Sequence, residues 1–393
     1  MSRAKRPAFA CLPRWGDCRI AAFMKQQILF ATLAFVCVVS IGQAAKPEIQ
    51  HVMIEPATED TPRSDTAAIA PLADGRLMVV YNRFHKTKEA GRDHGLCTIW
   101  SKLSGDNGRT WDTPRMLVDS AKGDMNVQAP AIMRTRAGEL YLIALRAHKG
   151  GSSSTMCVFV SKDEGKTFKE LPPIWKRSKG QLLQGGTSCI MELSVGRLLL
   201  PFHGGSGNQW SQKNSAGCYF SDDKGQTWKR STLIDLPKRG AMEASVVELN
   251  DGSLMMTLRT QLGGPHIARS KDRGKTWSKA IFSGLEGGES GTCLRRLPGS
   301  DRVILFWNNS KFQSGHHHFG ERTPLSAAVS DDNGKTWRKL GNIADNPKAE
   351  YTNLDCFFNK DGDAVLTYLY AEPAWNRKAI DLKAALIPKA WFE

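Results

Sequence analysis

At 393 residues, with 54 Lys/Arg against 39 Asp/Glu and a formal net charge of +15, the chain is basic and of ordinary apolar content. Its basic residues are scattered through turns, with no long Lys/Arg run and no nucleic-acid-binding motif, so nucleic acid is not the expected partner. Beyond residue 44 no apolar run is long enough to span a bilayer.

The first element in chain order is a leader. From Met24, the text MKQQILFATLAFVCVVSIGQAAKP carries a lysine, an apolar run and Gly42-Gln43-Ala44, a small-x-small cleavage site. This reads as a Sec-type signal peptide with Met24 as the true start. Its run of about 14 apolar residues is short for an anchor. Residues 1–44 are therefore set aside as extension and signal peptide, residues 46–393 are expected to form one domain, and the mature chain is expected to be secreted or periplasmic. The segment through Ala44 holds six Lys/Arg and one Asp, which leaves +10 on the remainder. That charge favours an anionic partner, and outside the cell an acidic glycan fits.

Two out-of-phase repeats follow. The box Ser-x-Asp-x-Gly-x-Thr-Trp/Phe occurs as SGDNGRTW at Ser104, SKDEGKTF at Ser161, SDDKGQTW at Ser221, SKDRGKTW at Ser270 and SDDNGKTW at Ser330, at spacings of 57, 60, 49 and 60 residues. A second pattern, a polar turn and then an apolar run, occurs six times: LADGRLMVVYNR from Leu72, TRAGELYLIALR from Thr135, LSVGRLLLPFHGG from Leu193, LNDGSLMMTLRT from Leu249, LPGSDRVILFWNN from Leu297 and NKDGDAVLTYLY from Asn359. Repeats of that length with strand-like flanks predict an all-β fold, a six-bladed β-propeller of four-stranded antiparallel blades. In the first unit AAIAPLA, RLMVVYNR, LCTIWSKLS and DTPRMLV are the four strands.

The boxes are not calcium loops, because from Asp331 the fifth and twelfth positions are Lys335 and Asn342. They are turns. The aspartate accepts local N–H bonds, the glycine takes a positive φ, and the aromatic residue begins the fourth strand and packs between blades. Their face of the disc is therefore scaffold. The opposite face collects the starts of first strands (Arg63, Glu243, Tyr351), the ends of second strands (Arg146, His203, Arg259) and the loops that follow (Arg92, Asp93, His94, Glu321, Arg322).

Six cysteines follow the leader, all inside strand text without metal-ligand spacing, and read as buried thiols. His316, His317 and His318 are adjacent and cannot converge on one zinc; they read as a solvated loop near the mouth of the site. Trp210 is placed as an apolar wall for a substrate substituent. No metal and no cofactor is expected.

The boxes and this face together resemble the bacterial sialidases with Asp-box (BNR) repeats, from about residue 50 to the C-terminus. The resemblance implies three arginines on a sialic-acid carboxylate, a tyrosine nucleophile activated by a glutamate, an aspartate as acid/base, and retention of configuration. By position these would be Arg63, Arg259 and Arg322, then Tyr351, Glu243 and Asp93. A tyrosine suits an anionic sugar, since a carboxylate nucleophile would be repelled by the acid beside the anomeric carbon. Glu243 would take the phenol proton and the arginines would stabilise the phenolate. Where the family has Arg-Ile-Pro, this chain has Pro62-Arg63-Ser64-Asp65, which sets an acid next to the first arginine. Exo-cleavage of terminal sialic acid is thus the expectation. Another acidic polysaccharide as substrate and a non-catalytic glycan-binding propeller are the alternatives.

Overall fold

A computed structural model shows how the box residues close their turns. In the fifth copy Ser330 Oγ donates to Asp332 Oδ1 (2.8 Å) and accepts the Gly334 N–H (2.7 Å). Asp332 then accepts the Thr336 N–H (2.9 Å) and the Thr336 hydroxyl (2.7 Å). Asn333 and Gly334 both adopt left-handed backbone, at φ 61° and 77°. The serine-to-glycine bond recurs in the other four copies. The glycine also lets each box lie flat on the repeat before it. A Cβ at Gly334 would stand 2.5 Å from Met255 Sδ, and at Gly274 2.7 Å from Leu199 Cδ1. At Gly108, in the first repeat, it would meet Val365 of the last at 3.2 Å. The box aromatics pack between neighbours as expected: Trp337 lies against a cluster joining Val247 and Met255 to Leu305 and Trp307.

The structure describes residues 46–393 apart from 90–91, 152, 179–180, 186–188, 207–212 and 377. The leader and Trp210 lie outside the described residues. Among those described there are strands and two short 3-10 turns, and no helix long and apolar enough to cross a membrane. The residues Lys46–Glu393 form one contact unit.

Three sheets have four strands each in sequence order: Asp124–Arg134, Leu140–His148, Ser154–Ser161 and Lys169–Trp175; Met242–Glu248, Leu254–Arg259, His266–Ser270 and Ile281–Phe282; and Cys293–Arg296, Val303–Asn308, Leu325–Ser330 and Arg338–Ala344. A fourth follows the order Gln181–Gly185, Leu198–Ser206, Ser215–Ser221 and Lys229–Arg230, with two two-residue strands at its ends. The largest sheet is two such units joined. The last three strands, Glu350–Phe358, Ala364–Ala371 and Ile380–Ile387, take the N-terminal strand Gln50–Glu55 as their fourth, antiparallel member. They meet Arg63–Pro71, the start of the first unit, through one parallel pairing, Arg63 with Ile380.

First strands of several neighbouring units touch one another, and four of them bulge at one shared point. Register shifts lie between Asp65 and Ala68, Gln128 and Ala131, Met242 and Ser245, and Thr352 and Asp355. Inside each bulge one residue has positive φ: Thr66 (46°), Ala129 (53°), Glu243 (37°) and Asn353 (55°). Such a residue turns its side chain out of the strand's alternation, which aims these four at common ground. Two residues further on, the same strands supply buried Ala68, Ala131, Ser245 and Asp355. Asp355 is ion-paired with Arg295 and accepts the Ile69 N–H (3.1 Å), so the layer beneath the bulges is filled and tied. All six described cysteines are free and buried; burial pushes Cys293 up to about 12.

Candidate functional site

The four bulge residues line one cavity of about 700 Å³. Its walls add Arg63, Arg92, Arg239, Arg259 and Arg322 as cations and Asp93 as a second acid beside Glu243. Of the six residues singled out from sequence, five therefore meet here: Arg63, Asp93, Glu243, Arg259 and Arg322.

Each arginine is anchored by burial and by a carboxylate. Arg63, 6 % exposed, directs Nε and one terminal nitrogen to the fully buried Asp65 (2.6 Å each) and the other terminal nitrogen to Asp93 (2.7 Å). Phe84 supports it from behind, with its ring centroid 4.3 Å from the guanidinium carbon. Burial disfavours that cation, but Asp65 and Asp93 more than offset it and raise its pKa. Arg259 donates to Glu243 Oε1 (2.6 Å) and lies 3.6 Å from Glu289. Again burial is opposed by the two acids, which raise its pKa. Arg322 ends 3.9 Å from buried Glu350 and lies over Trp375 at 5.3 Å.

Glu289 is the hub of one wall. It is 2 % exposed and receives Arg239 (3.0 Å), Gln261 (3.2 Å) and the His318 Nδ1–H (3.3 Å). Burial works against its charge, yet the His318 bond and the two arginines hold its carboxyl well below the ordinary range. His318 stacks on Trp375, with centroids 5.1 Å apart and planes 26° apart, and His317 closes edge-on against the same ring. Burial and then Arg322 push His318 down to about 3, so this histidine is neutral at neutral pH. His203, in the same lining, falls to about 4, from burial first, with Glu243 opposing and the charges of Arg259 and Arg239 adding to the fall.

Tyr351 is not in this cavity. Its ring lies in the core between the fifth and last units with Phe306, Leu325 and Tyr368, 4 % exposed, and its hydroxyl accepts the Asn346 N–H at 3.3 Å. The bulge is the physical reason: it reverses the alternation after Tyr351 and presents Thr352 and Asn353 to the cavity instead. Arg146 is also outside the cavity lining and pairs with Asp124 (2.7 Å). His203 and His94 do line it. The triple histidine is divided: His316 pairs with Glu321 (3.0 Å), while His317 and His318 belong to the wall.

Sequence reasoning passed over Asn353, Asn82, Arg239, Glu289 and Trp375, and it read His318 as solvated where the structure packs it against Trp375 and Glu289. The first had a signal: Thr66, Ala129, Glu243 and Asn353 each stand nine residues before a left-handed turn glycine, Gly75, Gly138, Gly252 and Gly362. Trp375 and Glu289 lie in loops with no repeat to mark them.

A family model described as a BNR repeat-like domain matches residues 75–365. The chain belongs to the sialidase-like BNR-repeat family. Curated relatives of this BNR-repeat chain include a sialidase of Bacteroides fragilis (strain YCH46), 25% identical over 300 residues, which cover 67% of this chain and 52% of that protein. An anhydrosialidase of Macrobdella decora is 27% identical over 243 residues, 58% of this chain and 31% of that one. The chain thus spans about half of the first relative and a third of the second. Among solved structures, the NanB sialidase of Streptococcus pneumoniae superposes with a TM-score of 0.66 at 15% identity, over 88% of the BNR-repeat chain and 71% of NanB. The antiparallel four-stranded units are therefore of the sialidase-propeller type.

Proposed function

We propose that this chain is a glycosidase that removes a terminal acidic sugar, sialic acid or a close analogue, from glycans outside the cytoplasm, on a six-bladed propeller preceded by a Sec-type signal peptide. One observation carries the reading: Arg63, Arg259 and Arg322, all nearly buried, face one cavity that also holds two carboxylates, Asp93 and Glu243. A planar carboxylate on the sugar matches guanidinium forks in both geometry and charge. The six turn-plus-strand repeats support the blade count, as does the packing of the first box on the last repeat.

Asp93 and Glu243 pair with Arg63 and Arg259, arginines that the sugar acid would take. A bound carboxylate replaces them. Asp93, freed from Arg63, is then placed to carry the proton that the leaving oxygen needs, and Glu243 to accept one. The buried Asp65 stays on Arg63 and keeps the fork aimed.

Fluorogenic α-sialoside assays of the secreted chain test this. Release of free sugar is expected, and Arg322→Lys, which keeps the charge and loses the fork, raises KM about tenfold or more. Binding to sialosides without release would make the chain a glycan-binding propeller. A second reading, cleavage of a uronic or sulfated sugar, is favoured by Asp65, which neutralises part of Arg63 where the family has Arg-Ile-Pro; a β-glucuronide and a sulfated glycoside assayed in parallel separate the two.

A further inference from the structure

All six tyrosines of the chain are described, and none lines the cavity. Tyr81 donates to Glu55 (3.0 Å), Tyr141 to the Lys224 carbonyl (3.1 Å), and Tyr368 bonds His51 (2.8 Å). Tyr370 bonds Glu372, Tyr219 packs with Trp175 and Phe202, and Tyr351 is held as described above. Moving Tyr351 into the cavity would require re-forming the bulge and pulling its ring from between Tyr368 and Tyr370.

The cavity-facing position of that strand belongs to Asn353, the counterpart by repeat of Glu243. Its amide nitrogen donates to Thr66 Oγ1 (3.0 Å) and Asp65 Oδ2 (3.2 Å), so what remains for a ligand is an acceptor, Oδ1. A neutral amide held through its N–H groups by two acceptors is no nucleophile. In the same lining, Glu243 has Oε1 on Arg259, and Oε2 stands where a Cβ on Gly291 would be only 2.7 Å away. The missing side chain at Gly291 leaves the room that this carboxylate occupies.

We infer that cleavage here uses water as the nucleophile, with Glu243 as base, Asp93 as acid and Asn353 Oδ1 as a positioning acceptor for the water, and that the anomeric centre is inverted. This rests on the glycosidase reading above. The water oxygen bonds to the anomeric carbon as the bond to the leaving oxygen breaks. One water proton passes to Glu243, and the Asp93 proton passes to the leaving oxygen. The products are the free sugar and the alcohol, and exchange of one proton each with solvent resets the two carboxyls. Neutral water also avoids the repulsion that would meet a carboxylate nucleophile beside the sugar's own acid.

The test combines three measurements on the full mature chain with an α-sialoside. Proton NMR of the first product is expected to show the inverted, β, anomer. Intact mass after incubation with a 2,3-difluorosialic acid, which traps tyrosine nucleophiles, is expected to be unchanged. Tyr351→Phe is expected to keep kcat within about twofold, and Glu243→Gln to lower it by about 10²- to 10⁴-fold. A first-formed α anomer, or a sugar adduct on any tyrosine, overturns the inference and leaves the glycosidase reading standing. So does loss of turnover in Tyr351→Phe with its melting temperature unchanged. No turnover of any sialoside by the wild type overturns the sialoside reading, and this inference with it.

Discussion

His203 shows how a single side chain inside the site ties stability to pH. It is 5 % exposed, and Nδ1 has no hydrogen-bond partner among the described residues. Burial, then Arg259 and Arg239, bring its pKa down to about 4, against 6.5 for an ordinary histidine. The unfolded chain therefore binds a proton near pH 6.5 that the folded chain refuses until about pH 4. Stability is full above the unfolded value, falls as pH drops between the two, and is flat below. The span corresponds to about 3 kcal/mol at most. The melting temperature of His203→Gln is expected to fall less between pH 7 and pH 4.5 than that of the wild type; an equal fall would remove His203 from the account. Gly291 makes a second case at this scale. A methyl group there would meet Glu243 Oε2 at 2.7 Å, so the carboxylate must turn away. Gly291→Ala is expected to lower kcat by about tenfold or more with little change in melting temperature, since displacing one positioned group by an ångström suffices.

At the scale of elements, the boxes were legible because each encodes its own hydrogen bonds. Serine, aspartate, glycine and threonine satisfy one another within seven residues, with no help from the rest of the chain. Only the second left-handed position escaped notice, because Asn107, Glu164, Lys224, Arg273 and Asn333 share no chemistry. Ser330→Ala removes a buried hydroxyl that serves Asp332 and Gly334. It is expected to cost about 1–3 kcal/mol in urea unfolding, with kcat unchanged because the box lies away from the cavity. The arginines were legible too, since strand ends and the following loops share one face. Tyr351 was not. Strand alternation is a period of two, and one extra residue in the Thr352–Asp355 bulge inverts it. Counting from the turn glycine rather than from the strand start puts Asn353, not Tyr351, in register with Glu243. The wall of Glu289, His318 and Trp375 had no such count to use, because long-range packing alone brings those loops together.

For the molecule as a whole, the decisive join is the one between its last and first units. Gln50–Glu55 supplies the outer strand of the last sheet, and Ile54 carries it into the core shared with Val79, Tyr81, Val365 and Leu382. The adjoining Glu55 is buried among Arg83 (3.0 Å), Lys102 (2.7 Å) and Tyr81 Oη (3.0 Å), which belong to the first unit. One short strand therefore holds both sides of the join, and Arg63 sits at the parallel pairing beside it. Units whose last and first members are joined in this way are expected to melt together, because opening a join exposes the faces of two neighbours. Ile54→Ala, at a site 2 % exposed, is expected to cost about 2–5 kcal/mol. It should shift a single calorimetric transition downward without splitting it. Met53→Ala, on the exposed side of the same strand, should leave the transition where it is. If Ile54→Ala instead produced an early, separate transition, Gln50–Glu55 would be an appendage that frays alone. Arg63, and with it the cavity, would then owe nothing to the closure.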